Sequence, residues 1–130
     1  MSKFKFVGEF EINASKKMLY PYLSTASGLS QWFADDVNID EDKVFTIIWD
    51  GEENKAKLVA HRTNSYVKIE FLPKDESDDD PNYVEFKLDM NELTQAVFIR
   101  VTDYSDMDDE DELRELWENL MFDLKEIVGG

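Results

Sequence analysis

The chain opens on alternation. In Phe4-Lys5-Phe6-Val7-Gly8-Glu9-Phe10-Glu11-Ile12, the residues Phe4, Phe6, Phe10 and Ile12 share one face, the pattern of a half-buried strand. Asn13-Ala14-Ser15 leads into KKMLYPYLST, where Met18, Leu19, Tyr22 and Leu23 fall near helical spacing. Pro21 is expected to limit that helix, because a proline there removes a hydrogen bond and clashes with the preceding turn. Gly28 separates it from a second short turn, LSQWF, so the segment reads as a broken helical connection. It carries two large aromatics, Trp32 and Phe33, where a surface link would ordinarily be polar.

Six strand-like runs follow: Asp36–Ile39, Val44–Trp49, Ala56–Arg62, Tyr66–Leu72, Tyr83–Met90 and Leu93–Asp103. Short punctuation (DEDK, DGEEN, TNS and the tight Met90-Asn91-Glu92 turn) implies antiparallel neighbours. In Val84-Glu85-Phe86-Lys87-Leu88-Asp89-Met90 every second residue is apolar, and Val67, Ile69 and Phe71 alternate in the same way. One face of the sheet is therefore wet and the other covered. The cover is the last element. Between Asp108 and Val128 the residues Leu113, Leu116, Trp117, Leu120, Met121, Leu124, Ile127 and Val128 make the stripe of one amphipathic helix. Ser105 or Asp106 is positioned to cap it.

The expected fold is α+β: a curved antiparallel sheet of about six or seven strands wrapped around a long C-terminal helix, with a broken short helix pair after the first strand. Residues 1–130 read as one domain, with no internal repeat and no linker.

The formal net charge of -16 changes this picture only locally. DESDDD (Asp75–Asp80) holds five acids and DYSDMDDEDE (Asp103–Glu112) seven, and setting those aside leaves -4. The second run suits the positive end of the helix dipole, and it lacks the glycine and spaced ligands of an EF-hand. Nucleic acid and anionic membrane are disfavoured as partners, since binding either leans on basic patches. A basic protein partner is compatible with the acidic runs. With no cysteine, no leader-like apolar run and no membrane-length segment, a cytoplasmic protein without integral membrane contact is expected.

Candidate chemistry is sparse. His61 is the one histidine; with Ala56, Leu58 and Ala60 facing in, it falls on the opposite face beside Lys55, Lys57 and Val59. No second histidine or cysteine exists to build a transition-metal site, and neither G-x-S-x-G nor a phosphate loop is present. Asp35-Asp36 and Asp50 read as loop acids, and Gln95 and Tyr20 are the main inward polar candidates. No metal, cofactor or catalytic residue is expected. The inward set is large and aromatic: Phe6, Phe10, Trp49, Phe71, Phe86, Phe98, Trp117 and Met121 among others.

The turn Ala14-Ser15, the helix ending Tyr22-Leu23-Ser24-Thr25, and Leu29, Gln31, Trp32 and Phe33 resemble the opening of the activator of heat-shock-protein-90 ATPase homologue-like family. The end is similar too, in Trp117, Leu120, Leu124 and Lys125. That family belongs to the START-like, or SRPBCC, helix-grip superfamily, which includes lipid carriers, polyketide cyclases, oxygenase domains, hormone receptors and co-chaperones. The resemblance implies the helix-grip fold over essentially the whole chain; it carries over no catalytic signature.

Together these readings lead to a non-catalytic domain that holds an apolar or amphipathic, lipid-like molecule between sheet and helix. The expected walls are Phe45, Ile47, Trp49, Phe71, Phe86, Trp117, Leu120, Met121 and Leu124, with Trp32 and Phe33 near the mouth. Those two aromatics are either a plug at the open end of the sheet or the movable rim of the cavity, with Gly28 allowing the bend. The alternative is a co-chaperone-like or regulatory interaction module working through its acidic loops.

Overall fold

A computed structural model describes residues 3–73 and 80–129. Seven strands form one antiparallel sheet in the order β1-β7-β6-β5-β4-β3-β2. They are β1 (Phe4–Ile12), β2 (Asp36–Ile39), β3 (Val44–Trp49), β4 (Glu52–Arg62), β5 (Tyr66–Phe71), β6 (Tyr83–Met90) and β7 (Val97–Ser105). Two short helices, α1 (Lys16–Ser24) and α2 (Ala26–Leu29), connect β1 to β2, and the long α3 (Glu110–Val128) follows β7. This is the expected helix-grip architecture. The acidic run Asp75–Asp80 lies outside the described residues except for Asp80.

Local chemistry sets the boundaries that periodicity missed. Asp50 and Gly51 both have positive φ, 50° and 79°, so they form a two-residue hairpin turn and Trp49 pairs directly with Glu52. β4 accordingly starts at Glu52 rather than Ala56. At the other hairpin, the Asn91 side chain accepts from the backbone N–H of Leu93 and Thr94, and Gln95 has a φ of 65°. That turn takes up Leu93 to Ala96. β7 therefore begins at Val97, Leu93 is 95% exposed, and Gln95 lies on the surface instead of facing inward.

The cap of α3 is Asp109, whose carboxylate accepts from Glu112 N, rather than Ser105 or Asp106. Ser105 ends β7 instead. Pro21 does not stop α1; it sits inside the helix, and its carbonyl accepts from both Thr25 N and Thr25 Oγ1 where the helix gives way to α2.

Side-chain parity shows which residues reach the core. Across β1, β7 and β6 the inward ladder runs Phe6–Asp103–Val84, Gly8–Val101–Phe86, Phe10–Ile99–Leu88 and Ile12–Val97–Met90. Phe98 falls between Glu11 and Asp89 on the outer face, so it leaves the inward set. A bulge between Leu58 and Ala60 shifts β4 by one residue, which flips everything beyond it. Ala60 turns out with Lys68, and His61 comes into register with the inward Val67. His61 remains exposed at that end, where its Nδ1 lies 3.3 Å from the Tyr20 hydroxyl.

On α3 the fully buried stripe is narrower than the apolar pattern: Leu113, Trp117, Met121 and Leu124. Leu116 and Ile127 are exposed on its flanks.

Gly28 has a role other than bending. It lies within α2, and an added Cβ would come 2.1 Å from the Pro21 carbonyl oxygen and 2.5 Å from Tyr22 Cα. Glycine is required because two helix backbones touch there. Gly28→Ala should therefore lower stability by about 3 kcal/mol, near the upper end for overpacking. Gly51→Ala, which meets open space, should cost only about 1–2 kcal/mol of left-handed strain. Chemical denaturation of the two variants checks the contrast.

Candidate functional site

Strand ends and α3 together leave the concave face open at one end. All of β3, β5 and β7 finish there, and β1, β4 and β6 start there, beneath the first half of α3. A cleft of about 1270 Å³ opens between them. Its wall can be followed as a circuit. Phe71 ends β5; Asn82 precedes β6 and bonds Phe71 through the backbone; Asp103 and Ser105 end β7. Trp117 of α3 comes next, with its ring 6.0 Å from Phe33; Phe33 lies 5.2 Å from Trp49, and Trp49 lies 6.0 Å from Phe71.

All three indoles are fixed by their N–H groups. Trp32 donates to Tyr22 O and Trp49 to Phe33 O, each at 2.8 Å, while Trp117 donates to Asp103 Oδ2 at 2.9 Å. The first two bonds fasten the 30–35 turn to α1 and to β3. Trp32 and Phe33 are buried, at 4% and 2% exposure, so in this structure they are the plug. Trp49 and Phe71 are only half-buried and face the opening.

Of the residues expected to hold a ligand, Trp32, Phe33, Trp49, Phe71, Trp117 and Leu120 line the cleft. Phe45, Ile47, Phe86, Met121 and Leu124 are packed in the core below it. They shape the floor's support rather than its surface.

Sequence reasoning missed Asp103. The sequence places it both at the end of the strand run Leu93–Asp103 and in the acidic run Asp103–Glu112; the structure keeps it in β7 and turns its carboxylate inward, 8% exposed. The signal was the alternation Val97, Ile99, Val101, which continues inward to Asp103. Its register partners are Phe6 and Val84, so burial among apolar neighbours pushes its carboxyl above the ordinary carboxylate range. Hydrogen bonds from Trp117 and Ser105 offset part of that rise. A second polar group is less well served. Asn82 Oδ1 is buried with no hydrogen-bond partner among the described residues. The apolar cleft thus contains two buried acceptors.

A raised native pKa means that the folded chain holds this proton more tightly than the unfolded chain does. Stability is then lost as pH rises from the ordinary carboxylate pKa through the native value, and the cost is fully present above it. Asp103→Asn keeps an acceptor for Trp117 and removes the buried charge. At neutral pH it should raise stability by about 1–2 kcal/mol, in keeping with the cost of a poorly solvated polar group. The gain should shrink to nothing near pH 4, about the unperturbed aspartate pKa. Thermal melts of both proteins across pH 4 to 8 check the sign.

Solved structures with the same architecture are numerous. The Aha1 dimer from Colwellia psychrerythraea aligns with a TM-score of 0.75 at 18% identity, covering 96% of each chain. Protein MLL2253 from Mesorhizobium loti gives 0.75 at 16% identity over 97% of each chain. A Bacillus thuringiensis protein gives 0.76 at 11% identity, over 98% of this chain and all of that one (100%). At such identities the likeness is one of fold. No curated protein matches the chain. The family model for the START-like superfamily domain, however, matches residues 1–130, and the chain therefore belongs to the START-like superfamily.

Proposed function

We propose that this protein binds an apolar or amphipathic small molecule, lipid-like in character, without transforming it. One observation carries this reading: a roomy cleft under α3 whose walls are aromatic rings, two of them half-exposed, on a sheet whose remaining inner face is tightly filled. Concave, mostly apolar sites with a few convergent polar groups are where small molecules bind. Binding is favoured over catalysis because no histidine lines the cleft among the described residues to form an acid–base pair with Asp103. Trp32, Phe33, Trp49, Phe71, Trp117 and Leu120 would contact the ligand directly. Phe45, Ile47, Phe86, Met121 and Leu124 would hold those walls in place. Such a binding domain would work in the cytoplasm; no helix among the described residues is long and apolar enough to cross a membrane.

A second reading, the interaction module, rests on a different surface. The outer side of α3 exposes Phe122, at 52%, beside Glu115 and Glu118. An exposed ring edged by acids suits a basic protein partner. Reversing Glu115 and Glu118 to lysine should abolish retention of such a partner in a pull-down while leaving small-molecule uptake intact. Unchanged retention would remove this reading.

For the leading reading, the neutral probe pyrene should bind saturably at one site. Leu120→Asp, which puts a charge on the half-buried cleft wall, should weaken it roughly 10-fold, the loss of about 1.4 kcal/mol of apolar contact. Fluorescence titration measures both. Uptake that never saturates, or that ignores the substitution, would rule the cleft out as the binding site.

A further inference from the structure

We infer that the cleft selects a cationic amphiphile, an apolar body carrying a protonated amine, with Asp103 as the buried counter-charge. This rests on the binding reading above and names the ligand class for that same site.

Charge along the cleft is one-sided. Asp35, Asp50, Glu53, Asp106 and Asp123 lie at its rim, and all five are exposed. Lys55 is the only base lining it among the described residues, and its ammonium turns away to donate to Thr46 Oγ1 on the convex face of the sheet. Other bases are spread over that convex face as well, Lys57, Lys68, Lys87 and Arg100 among them by strand parity. That convex face mixes both signs, with Glu70, Glu85 and Asp89 beside those bases, whereas the charged residues lining the cleft are almost wholly acidic. Such a field raises the local concentration of cations and lowers that of fatty-acid-like anions.

Depth adds chemistry to this field. Below the rim lie two buried acceptors, the Asp103 carboxylate and Asn82 Oδ1, and the second has no donor among the described residues. A ligand ammonium supplies three donors, whereas a carboxylate head supplies none. Beside them stand the rings of Trp117, Phe33, Trp49 and Phe71, whose faces attract a cation as well as apolar surface. The apolar burial that raises the Asp103 carboxyl also strengthens its pairing with a cation that reaches it. The site thus opposes an anionic head at both rim and base.

The test is a matched series: dodecylammonium, dodecanol and dodecanoate, each below its micelle concentration, titrated against the three cleft tryptophans. Measurements at low and at moderate salt compare wild type with Asp103→Asn. Dodecylammonium should bind at one site at least 10-fold more tightly than dodecanol, with dodecanoate weakest. That preference should persist at moderate salt, where exposed charges are screened, and should fall to about threefold or less in Asp103→Asn. Equal binding of all three would overturn the cationic preference while leaving the cleft reading standing. A preference undiminished in Asp103→Asn, or one erased by salt in wild type, would reduce it to surface charge. The wild-type salt comparison decides this without the variant. No binding by any of the three would overturn both readings.

Discussion

Phe33 touches four other rings. Trp32, Trp49, Phe86 and Trp117 surround it at centroid separations between 5.2 and 6.1 Å, and it arrives from the connection between two short helices and β2 rather than from sheet or long helix. An antiparallel sheet with one apolar face must have that face covered, and a single helix is too narrow to do it alone. Here the missing volume comes from a turn. Its position depends on the indole bonds of Trp32 to α1 and of Trp49 to the Phe33 carbonyl. It depends equally on the close contact at Gly28 that lets α2 lie on α1. If the plug moved, α3 would lose its main aromatic partner and the cleft would lose its wall.

The same packing explains why the cavity opens where it does. Toward the middle and far end of the sheet, Phe86, Ile69, Ile47, Met121 and Leu124 fill the space under α3 completely. Near the start of α3 the filling changes character. The side chains there are Trp49, Phe71, Asn82 and Asp103, which leave room and bring polar atoms inside. A buried aspartate flanked by Phe6 and Val84 is a cost to folding, repaid only in part by Trp117 and Ser105. Costs of this kind gather where a protein binds something.

Much of the fold was legible in the residues. The alternation of β1, β5 and β6, and the helical stripe of α3, follow directly from periods of two and 3.6 residues, and the boundaries of those elements lie close to the expected ones. Losses came where a side chain or a turn overrode the period. Asn91 gathered Leu93 and Thr94 into a turn, Asp50-Gly51 lengthened β4, and the bulge before Ala60 reversed the faces of Ala60 and His61. Phe98 faces outward, against the expectation for an aromatic in a strand, because its pairing with Glu11 and Asp89 fixes its parity. The aromatic lining was legible as an apolar set. Its division into cleft wall and packed core was not, because every member has the same spacing.

The sequence by itself determined the element order, the covered face of the sheet and the helix that covers it, because those depend on local periodicity and on burying apolar surface. It also carried the opening residues, from Ala14 to Phe33, whose resemblance pointed to the START-like superfamily. Tertiary structure alone decided that Asp103 and Asn82 stand together inside an aromatic circuit, though more than twenty residues apart in the chain. Strand pairing sets that meeting: alternation through Val101 turns Asp103 inward, but no local pattern places Asn82 beside it. Whether a given aromatic seals the core or faces an opening is likewise a matter of how much space its non-local neighbours leave.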